Sequence, residues 1–533
     1  MNNINAILEK LTLEEKVGQL LCFNIIPEMS DEEFDDLLRR TKAGGVYVVV
    51  PHTPERLKQY REVMQEASGI PGIVSADIEW GPDSIEGEKI TVFAMGTGAC
   101  DDAELVEKMH RASAEVNRKA GIHLSFSPVV DINRNPDNPI TNIRAVSDSA
   151  DQVIKMASAQ VRGFQKDGLI MTTCKHFPGD GIDDRNQHFC TTINSLSAKE
   201  WMDTFGKAYK AMFKEGAAAV MIGHISLPAL QDPEEYDEGI GYRPATLSYS
   251  LQTKLLREKL GFKGCIISDA LSMIGCGCAM PAEKIAVEFI KAGGDFLIYP
   301  LPDDHERIIE AVKNGEISME RLNDAVRHVL ELKEKARLFE DEEKVLADMD
   351  GKNELYTLAE RVAEKSITVV RNQQGVLPVK LEKGARILLV NIMPEKKMLD
   401  FGVLEEELKK RGFEVDSLTN PRHYIIKDTM DTYDCILVNC NIHCRTYPGG
   451  GLRVNWTHIW PFWRGYLLQH PKMVFTAFGD PYKLHDFPYV RTYVNAYGHS
   501  ESIQRGFVKV LLGETEATGK NPVSHQGYFE REV

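Results

Sequence analysis

The chain has no apolar run long enough to cross a bilayer, no cluster of lysine and arginine, no low-complexity tract and no internal repeat. A spanning helix needs about 20 consecutive apolar residues, so no membrane partner is expected. The formal net charge is −16. That sign opposes the positive footprint a nucleic acid requires, and no nucleic-acid partner is expected either. The N-terminus, M-N-N-I-N-A-I-L-E-K, lacks the basic start and apolar core of a secretory signal. Cysteines are few and scattered, at Cys22, Cys100, Cys174, Cys190, Cys265, Cys276, Cys278, Cys435, Cys440 and Cys444. Several fall inside apolar runs, where a thiol behaves as a small buried hydrophobe rather than half of a disulfide. The setting these absences predict is reduced and cytoplasmic.

What is present is a long globular sequence, 533 residues with 43% apolar and 27% charged. Two domains are the natural expectation at that length. Residues 5–20 read as one amphipathic helix. Eight short apolar runs follow, at Leu21–Ile25, Gly45–Val50, Ile73–Asp77, Leu124–Ile132, Ile170–His176, Ala219–Ile225, Cys265–Asp269 and Asp295–Tyr299. Periodic charged segments separate most of them, such as Pro54–Ala67, Asp102–Ala120, Ala150–Lys166, Ala198–Lys214 and Tyr249–Leu260. Strand–helix alternation repeated eight times predicts an α/β fold, a (β/α)8 TIM-like barrel. The runs are apolar throughout rather than alternating, as parallel strands covered on both faces are. We place the barrel at residues 1–345, a linker at 346–384 and a second α/β domain at 385–533. Strands of that second domain are expected at Ile387–Asn391, Cys435–Asn439 and Met473–Ala477. A helix followed by the strand S-I-T-V-V-R-N is expected from Glu360 onward.

A barrel of this type carries its chemistry at the C-terminal ends of the strands. Here those ends bear Asp77, Asp131, Lys175 with His176, His224 and Asp269, and Arg144 lies in the loop after Asp131. Asp269 ends the run C-I-I-S-D. It either caps a following helix or attacks an anomeric carbon to form a glycosyl ester. His188 sits in the polar loop G-D-G-I-D-D-R-N-Q-H. As a lone loop histidine it is either solvated or a general acid/base, a role its ordinary pKa of ~6.5 suits. Lys175 and His176 are adjacent on one strand, so the pleat predicts that one faces the barrel interior and the other its wall. With Arg144 and Asp77 they form the donor-rich lining that sugar hydroxyls require.

These residues resemble those of the glycoside hydrolase family 3 enzymes, and within them the β-N-acetylhexosaminidase (β-N-acetylglucosaminidase) branch. The resemblance rests on L-T-L-E-E-K-V-G-Q-L (11–20), F-S-P-V-V-D-I-N-R-N-P (126–136), K-H-F-P-G (175–179) and P-A-T-L-S (244–248). It continues through G-F-K-G-C-I-I-S-D-A-L-S-M (261–273) and A-G-G-D (292–295). It implies that the second domain is an α/β/α sandwich. It implies a retaining exo-glycosidase that removes a terminal β-linked N-acetylglucosamine, with Asp269 as nucleophile and His188 as acid/base. Asp77, Arg144, Lys175 and His176 then hold the sugar, and His224 on the same polar rim is grouped with them. Asp131 reads as a structural carboxylate of the site wall. No metal and no organic cofactor is implied, the partner is a carbohydrate substrate, and a monomer or homodimer is expected.

Three departures from the branch stand out. Its D-S-H triplet is Asn186-Gln187-His188 here, so Asn186 takes the place of the aspartate that orients the imidazole. An Asn oxygen can still accept from the ring, but it adds no charge, and a reversed amide would select the wrong tautomer. Asp183 or Asp184 offers an alternative carboxylate on the same loop. Further, P-G-H-G reads Pro178-Gly179-Asp180-Gly181, and D-x-E-G-G-R has become Asp77-Ile78-Glu79-Trp80-Gly81-Pro82. Three rival readings follow: a β-glycoside phosphorylase on the same scaffold, a sugar-binding protein without turnover, and a metallohydrolase built on His176, His188, His224 and Asp269. Cys435, Cys440, His443 and Cys444 have no regular metal spacing and read as buried thiols. Trp456, Trp460 and Trp463 read as core or interface, and Gly449-Gly450-Gly451 as a loop.

Overall fold

The computed structural model of the chain describes residues 4–25, 28–347, 349, 354–393, 401–444 and 452–533. Eight parallel strands form its first sheet: β1 (Leu21–Asn24), β2 (Gly45–Val48), β3 (Ile73–Ala76), β4 (Leu124–Ser125), β5 (Met171–Phe177), β6 (Ala219–Ile222), β7 (Cys265–Ser268) and β8 (Leu297–Ile298). The order is β7-β6-β5-β4-β3-β2-β1-β8. A parallel bridge between Ile267 and Phe296 joins the two ends, so the sheet is a nearly closed barrel. All eight predicted strands are present. Strands β3, β5, β6 and β7 are buried along their whole length, which is why they read as unbroken apolar runs.

The differences from expectation have local causes. The fourth run is a regular strand over only two residues; Pro128, three positions after β4, has no N–H to donate to a ladder, and pairing resumes at a bridge between Val129 and Lys175. The N-terminal helix is two, Ile4–Lys10 and Leu13–Gln19. Thr12 separates them: its hydroxyl accepts from Glu15 N–H while the Glu15 carboxylate takes the Thr12 N–H, a reciprocal cap that starts a new helix. Thr204, outside helical geometry, likewise divides the predicted 198–214 helix into Ala198–Asp203 and Phe205–Lys214.

The second sheet has six strands: β9 (Thr368–Asn372), β10 (Arg386–Ile392), β11 (Glu414–Thr419), β12 (Cys435–Cys440), β13 (Met473–Ala477) and β14 (Thr492–Asn495), in the order β9-β14-β13-β12-β10-β11. Only β9 is antiparallel to its neighbour. Cys435 and Cys440 lie in β12 with thiols pushed up to about 12 by burial, so they offer no thiolate to a metal. The Trp460 and Trp463 rings meet at 5.4 Å between centroids. The Trp456 side chain and Gly449–Gly451 lie outside the described residues.

The chain divides into two compact units along lines other than the expected 1–345, 346–384 and 385–533. The first comprises residues 1–89, 107–132 and 157–353, and the second 90–106, 133–156 and 354–533. Two barrel insertions thus belong with the second unit, because their polar groups are bonded there: Asn133 donates to the Tyr482 hydroxyl at 2.9 Å and Asp102 pairs with Lys365 at 2.6 Å. The expected linker carries the helix Leu355–Ser366 and β9, both part of the second unit. Among the described residues, no helix is long and apolar enough to cross a membrane.

Candidate active site

The first unit gathers its polar strand ends at the mouth of the barrel. Asp269 follows β7 directly, and its N–H donates to Ile222 O at the end of β6. The next helix, Ile274–Gly277, is preceded by Met273 at its cap position, so Asp269 caps no helix. One carboxylate oxygen accepts the Ala270 N–H at 2.8 Å. Burial alone would raise the Asp269 carboxyl, but His176, the Ala270 N–H and His188 hold it below the ordinary carboxylate range. The group is therefore ionised, as a nucleophile must be.

Lys175 and His176 both reach carboxylates of the site, where the pleat had predicted opposite faces. The pairing of β5 with β6 is irregular between Cys174 and Phe177, which breaks the alternation there. The Lys175–His176 peptide is cis. Lys175 Nζ lies 2.8 Å from Asp77 and 2.7 Å from Glu79. The second oxygen of Asp77 accepts the Tyr47 hydroxyl at 2.7 Å. A buried ammonium between two carboxylates is compensated, and either carboxylate alone would still pair it. His176 Nδ1 meets Asp131 at 2.7 Å, and the other Asp131 oxygen accepts the backbone N–H groups of His176 and Asp180. Asp131 is thus a fully buried strut holding both β5 and the loop that follows.

That loop leaves the strand at Pro178 and Gly179. Gly179 has φ +122°, and a Cβ there would lie 2.2 Å from the buried Phe205 ring, so only glycine fits. His188 is exposed at the loop's far side. Its Nδ1 is 2.8 Å from Asn186 Oδ1, and its own backbone N–H donates to the same oxygen at 2.9 Å. An N–H cannot face an amide NH2, so the backbone fixes which way the Asn186 amide points. The ring must then carry its proton on Nδ1, which leaves Nε2 as the working nitrogen. Asp183 does not substitute for the missing carboxylate: Arg185 holds it at 2.6 Å and Ile193 N–H at 2.8 Å. Asp184 is exposed.

His224 is fully buried and has both ring nitrogens bonded to protein, Nδ1 to Thr246 Oγ1 at 2.7 Å and Nε2 to Ala270 O at 3.0 Å. Burial lowers its pKa despite the nearby Asp269, so the ring is neutral. It lies in the site, but its nitrogens are turned to protein rather than to a sugar. Arg144 belongs to the second unit, in the buried turn Asn142–Arg144, where its guanidinium donates to Ile140 O at 3.3 Å.

Sequence reasoning did not single out Glu79, Tyr47, Tyr299 or Thr246. Glu79 stands two residues after Asp77, in a segment already of interest, and was the most legible of them. Tyr47 lies within β2 and Tyr299 directly follows β8, their rings 5.8 Å apart. Burial, then Asp77 and Asp269, push the Tyr299 hydroxyl up to about 12, so it remains a donor beside both carboxylates. Among the described residues, the ligand atoms of Asp295, Asp324 and His328 alone cluster as a metal site would. Arg257 and Arg321 already neutralise Asp295.

Residues 12–332 match the family described as the glycosyl hydrolase family 3 N terminal domain. A beta-N-acetylglucosaminidase/beta-glucosidase of Cellulomonas fimi is 30% identical over 98% of this chain and 95% of its own. The beta-hexosaminidase A of Pseudoalteromonas piscicida is 28% identical over 68% of this chain and 64% of its own. Among solved structures, a beta-glucoside phosphorylase, BglX, bound to 2FGlc superposes with a TM-score of 0.85 and 31% identity, covering 98% of this chain and 96% of that one. A beta-N-acetylglucosaminidase from Paenibacillus sp. str. FPU-7 shares the fold with a TM-score of 0.84 at 24% identity, over 98% of this chain and all of that one.

Proposed function

The chain belongs to glycosyl hydrolase family 3 and is a glycosidase of β-linked sugars; we propose that it removes a terminal β-linked sugar in two steps, through a glycosyl ester on Asp269. In the first step an Asp269 oxygen attacks the anomeric carbon while protonated His188 delivers its Nε2 proton to the departing oxygen. In the second, Nε2 takes a proton from the acceptor, which displaces Asp269 and restores the β configuration. Lys175, with Asp77 and Glu79, bonds the sugar hydroxyls. The observation that carries this reading is the ionised Asp269 at a strand end, one oxygen held by Ala270 N–H, in the same site as an imidazole oriented by Asn186. N-acetylglucosamine is the sugar we put first and glucose second, in keeping with a relative that covers 98% of the chain. Ten cysteines, none of them paired, favour a reducing, cytoplasmic setting.

A second reading, phosphorolysis, has a specific observation behind it. Asn186 is neutral and Asp183 is paired with Arg185, so the His188 loop presents less negative charge to an incoming phosphate than an aspartate at 186 would. Aryl β-N-acetylglucosaminide and β-glucoside are assayed with wild type and Asp269→Asn, each with and without phosphate. Aryl release should fall at least a thousandfold in the variant, roughly the scale of losing a catalytic nucleophile. Release of the sugar 1-phosphate would assign phosphate as the acceptor. Undiminished release by Asp269→Asn would end the retaining reading.

A further inference from the structure

We propose that Thr246 and His224 form a hydrogen-bonded brace that sets the position of the nucleophile and ties it to the loop carrying the acid/base, an assignment that rests on the retaining reading above. Neither residue is needed to touch the sugar. Both are positioning residues.

The ring of His224 faces one atom that can only accept, the carbonyl of Ala270 at 3.0 Å. The proton must therefore sit on Nε2. A neutral imidazole then has a lone pair on Nδ1, and the partner there, Thr246 Oγ1 at 2.7 Å, must donate. Thr246 has one proton and a second acceptor in reach, Gly223 O at 3.2 Å. Giving the proton to His224 is the arrangement that keeps Nε2–H on Ala270. The hydroxyl is fully buried, and Gln252 Nε2 holds the carbonyls of Ala245 and Thr246 at 2.9 Å and 2.8 Å.

Ala270 passes this constraint on. Its carbonyl is held by His224, with Met273 N–H as a second donor at 3.0 Å, and its N–H holds Asp269 Oδ1. The His224 backbone reaches the other way. Its N–H donates to Gln187 Oε1 at 2.9 Å, and its carbonyl accepts Thr192 N–H at 3.2 Å. Gln187 stands between Asn186 and His188, so one residue after β6 braces both halves of the catalytic pair. Without the Thr246 hydroxyl the Nδ1 lone pair loses its donor while Nε2–H stays on Ala270 O. The ring is then held at one end only, and the nucleophile's peptide loosens with it.

The test uses the full-length protein and three variants, Thr246→Val, Thr246→Ser and His224→Gln. Thr246→Val should lower kcat for an aryl β-glycoside roughly tenfold, the effect of one hydrogen bond in a transition state, with KM within about twofold. Thr246→Ser, which restores the hydroxyl, should return kcat to near wild type. His224→Gln, whose amide can donate to Ala270 O and accept from Thr246, should fall between. Independently of turnover, 15N spectra of histidine-labelled protein should show His224 in the Nε2–H form in wild type and in Thr246→Val, with the Nδ1 resonance moving from its hydrogen-bonded to its free-acceptor position in the variant. An Nδ1 resonance unmoved in Thr246→Val, or kcat unchanged there, would overturn the brace. Failure of the retaining reading shows separately, as activity surviving in Asp269→Asn.

Discussion

The hydrogen bond from His188 Nδ1 to Asn186 Oδ1 does one of the two things an aspartate would do at that position. It orients the ring, with the backbone N–H of His188 fixing the amide, but it adds no charge to stabilise the imidazolium. Asn186→Asp supplies that charge, and a carboxylate beside an imidazolium favours the protonated form. The acid is then retained to higher pH, so the alkaline limb of the kcat/KM profile should move up, by about one pH unit. The added negative charge should also diminish any stimulation of aryl release by phosphate. A pH–rate series on wild type and variant, each with and without phosphate, checks both outcomes. An unmoved alkaline limb would mean that His188 is not the acid. At this scale the sequence showed which residue types converge but not what each one bonds. His224 was grouped with the sugar-binding residues because it ends a strand, yet its nitrogens face Thr246 and Ala270, one of them on a turn 22 residues away. Distance along the chain hides such partners. Glu79 was the easier case, standing two residues after Asp77 in a segment already of interest.

Most strands were legible where burial on both sides made them continuously apolar. All eight barrel strands could be read from their apolar runs, whereas β11, E-V-D-S-L-T, is a largely exposed edge strand, and β14, T-Y-V-N, is buried but bounded by Thr and Asn and so forms no apolar run. The loop from Gly179 to Cys190 shows how an element turns such a scaffold into a site. It starts at a glycine whose φ of +122° no other residue adopts easily, against the buried ring of Phe205. It ends stitched to the segment after the nucleophile, with Ile274 N–H on His188 O at 3.1 Å and the Thr191 hydroxyl on Gly275 O at 2.8 Å. Gly179→Ala should displace the start of this loop and with it Asn186 and His188. A shift of about 1 Å in catalytic geometry costs up to roughly a hundredfold. The expectation is a loss of kcat/KM on that scale with the circular dichroism of the barrel unchanged. Activity within about twofold of wild type would show that the loop re-forms its geometry independently of where it leaves β5.

The barrel divides its work between its two ends. At the C-terminal end stand the ionised nucleophile and the acid/base loop. At the N-terminal end, charges are paired or neutralised: Arg118 is fully buried, with its Nε 2.9 Å from Glu342, and Asp295 is held well below the carboxylate range by Arg257, His328 and Arg321 against the opposing effect of burial. Lys333 is the exception there. Its ammonium is fully buried with Gln19 Oε1 at 2.6 Å and, among the described residues, no carboxylate partner, and burial pulls it down to about 7. In the unfolded chain the same lysine titrates near 10.4. Between those values the unfolded state binds more protons than the folded one, so this group makes stability rise with pH from about 7 to 10, and below 7 its destabilisation is complete and constant. Lys333→Met fills much the same volume without the charge. Its Tm should exceed that of wild type at pH 7, and the difference between the two Tm curves should close as pH approaches 10. Because Lys333 lies at the end of the barrel away from the chemistry, kcat should be unchanged. Scanning calorimetry across that pH range, with an activity assay alongside, separates the two ends: a Tm difference that stayed constant with pH would show that Lys333 is charged in the fold, and a fall in kcat would show that the two ends are coupled.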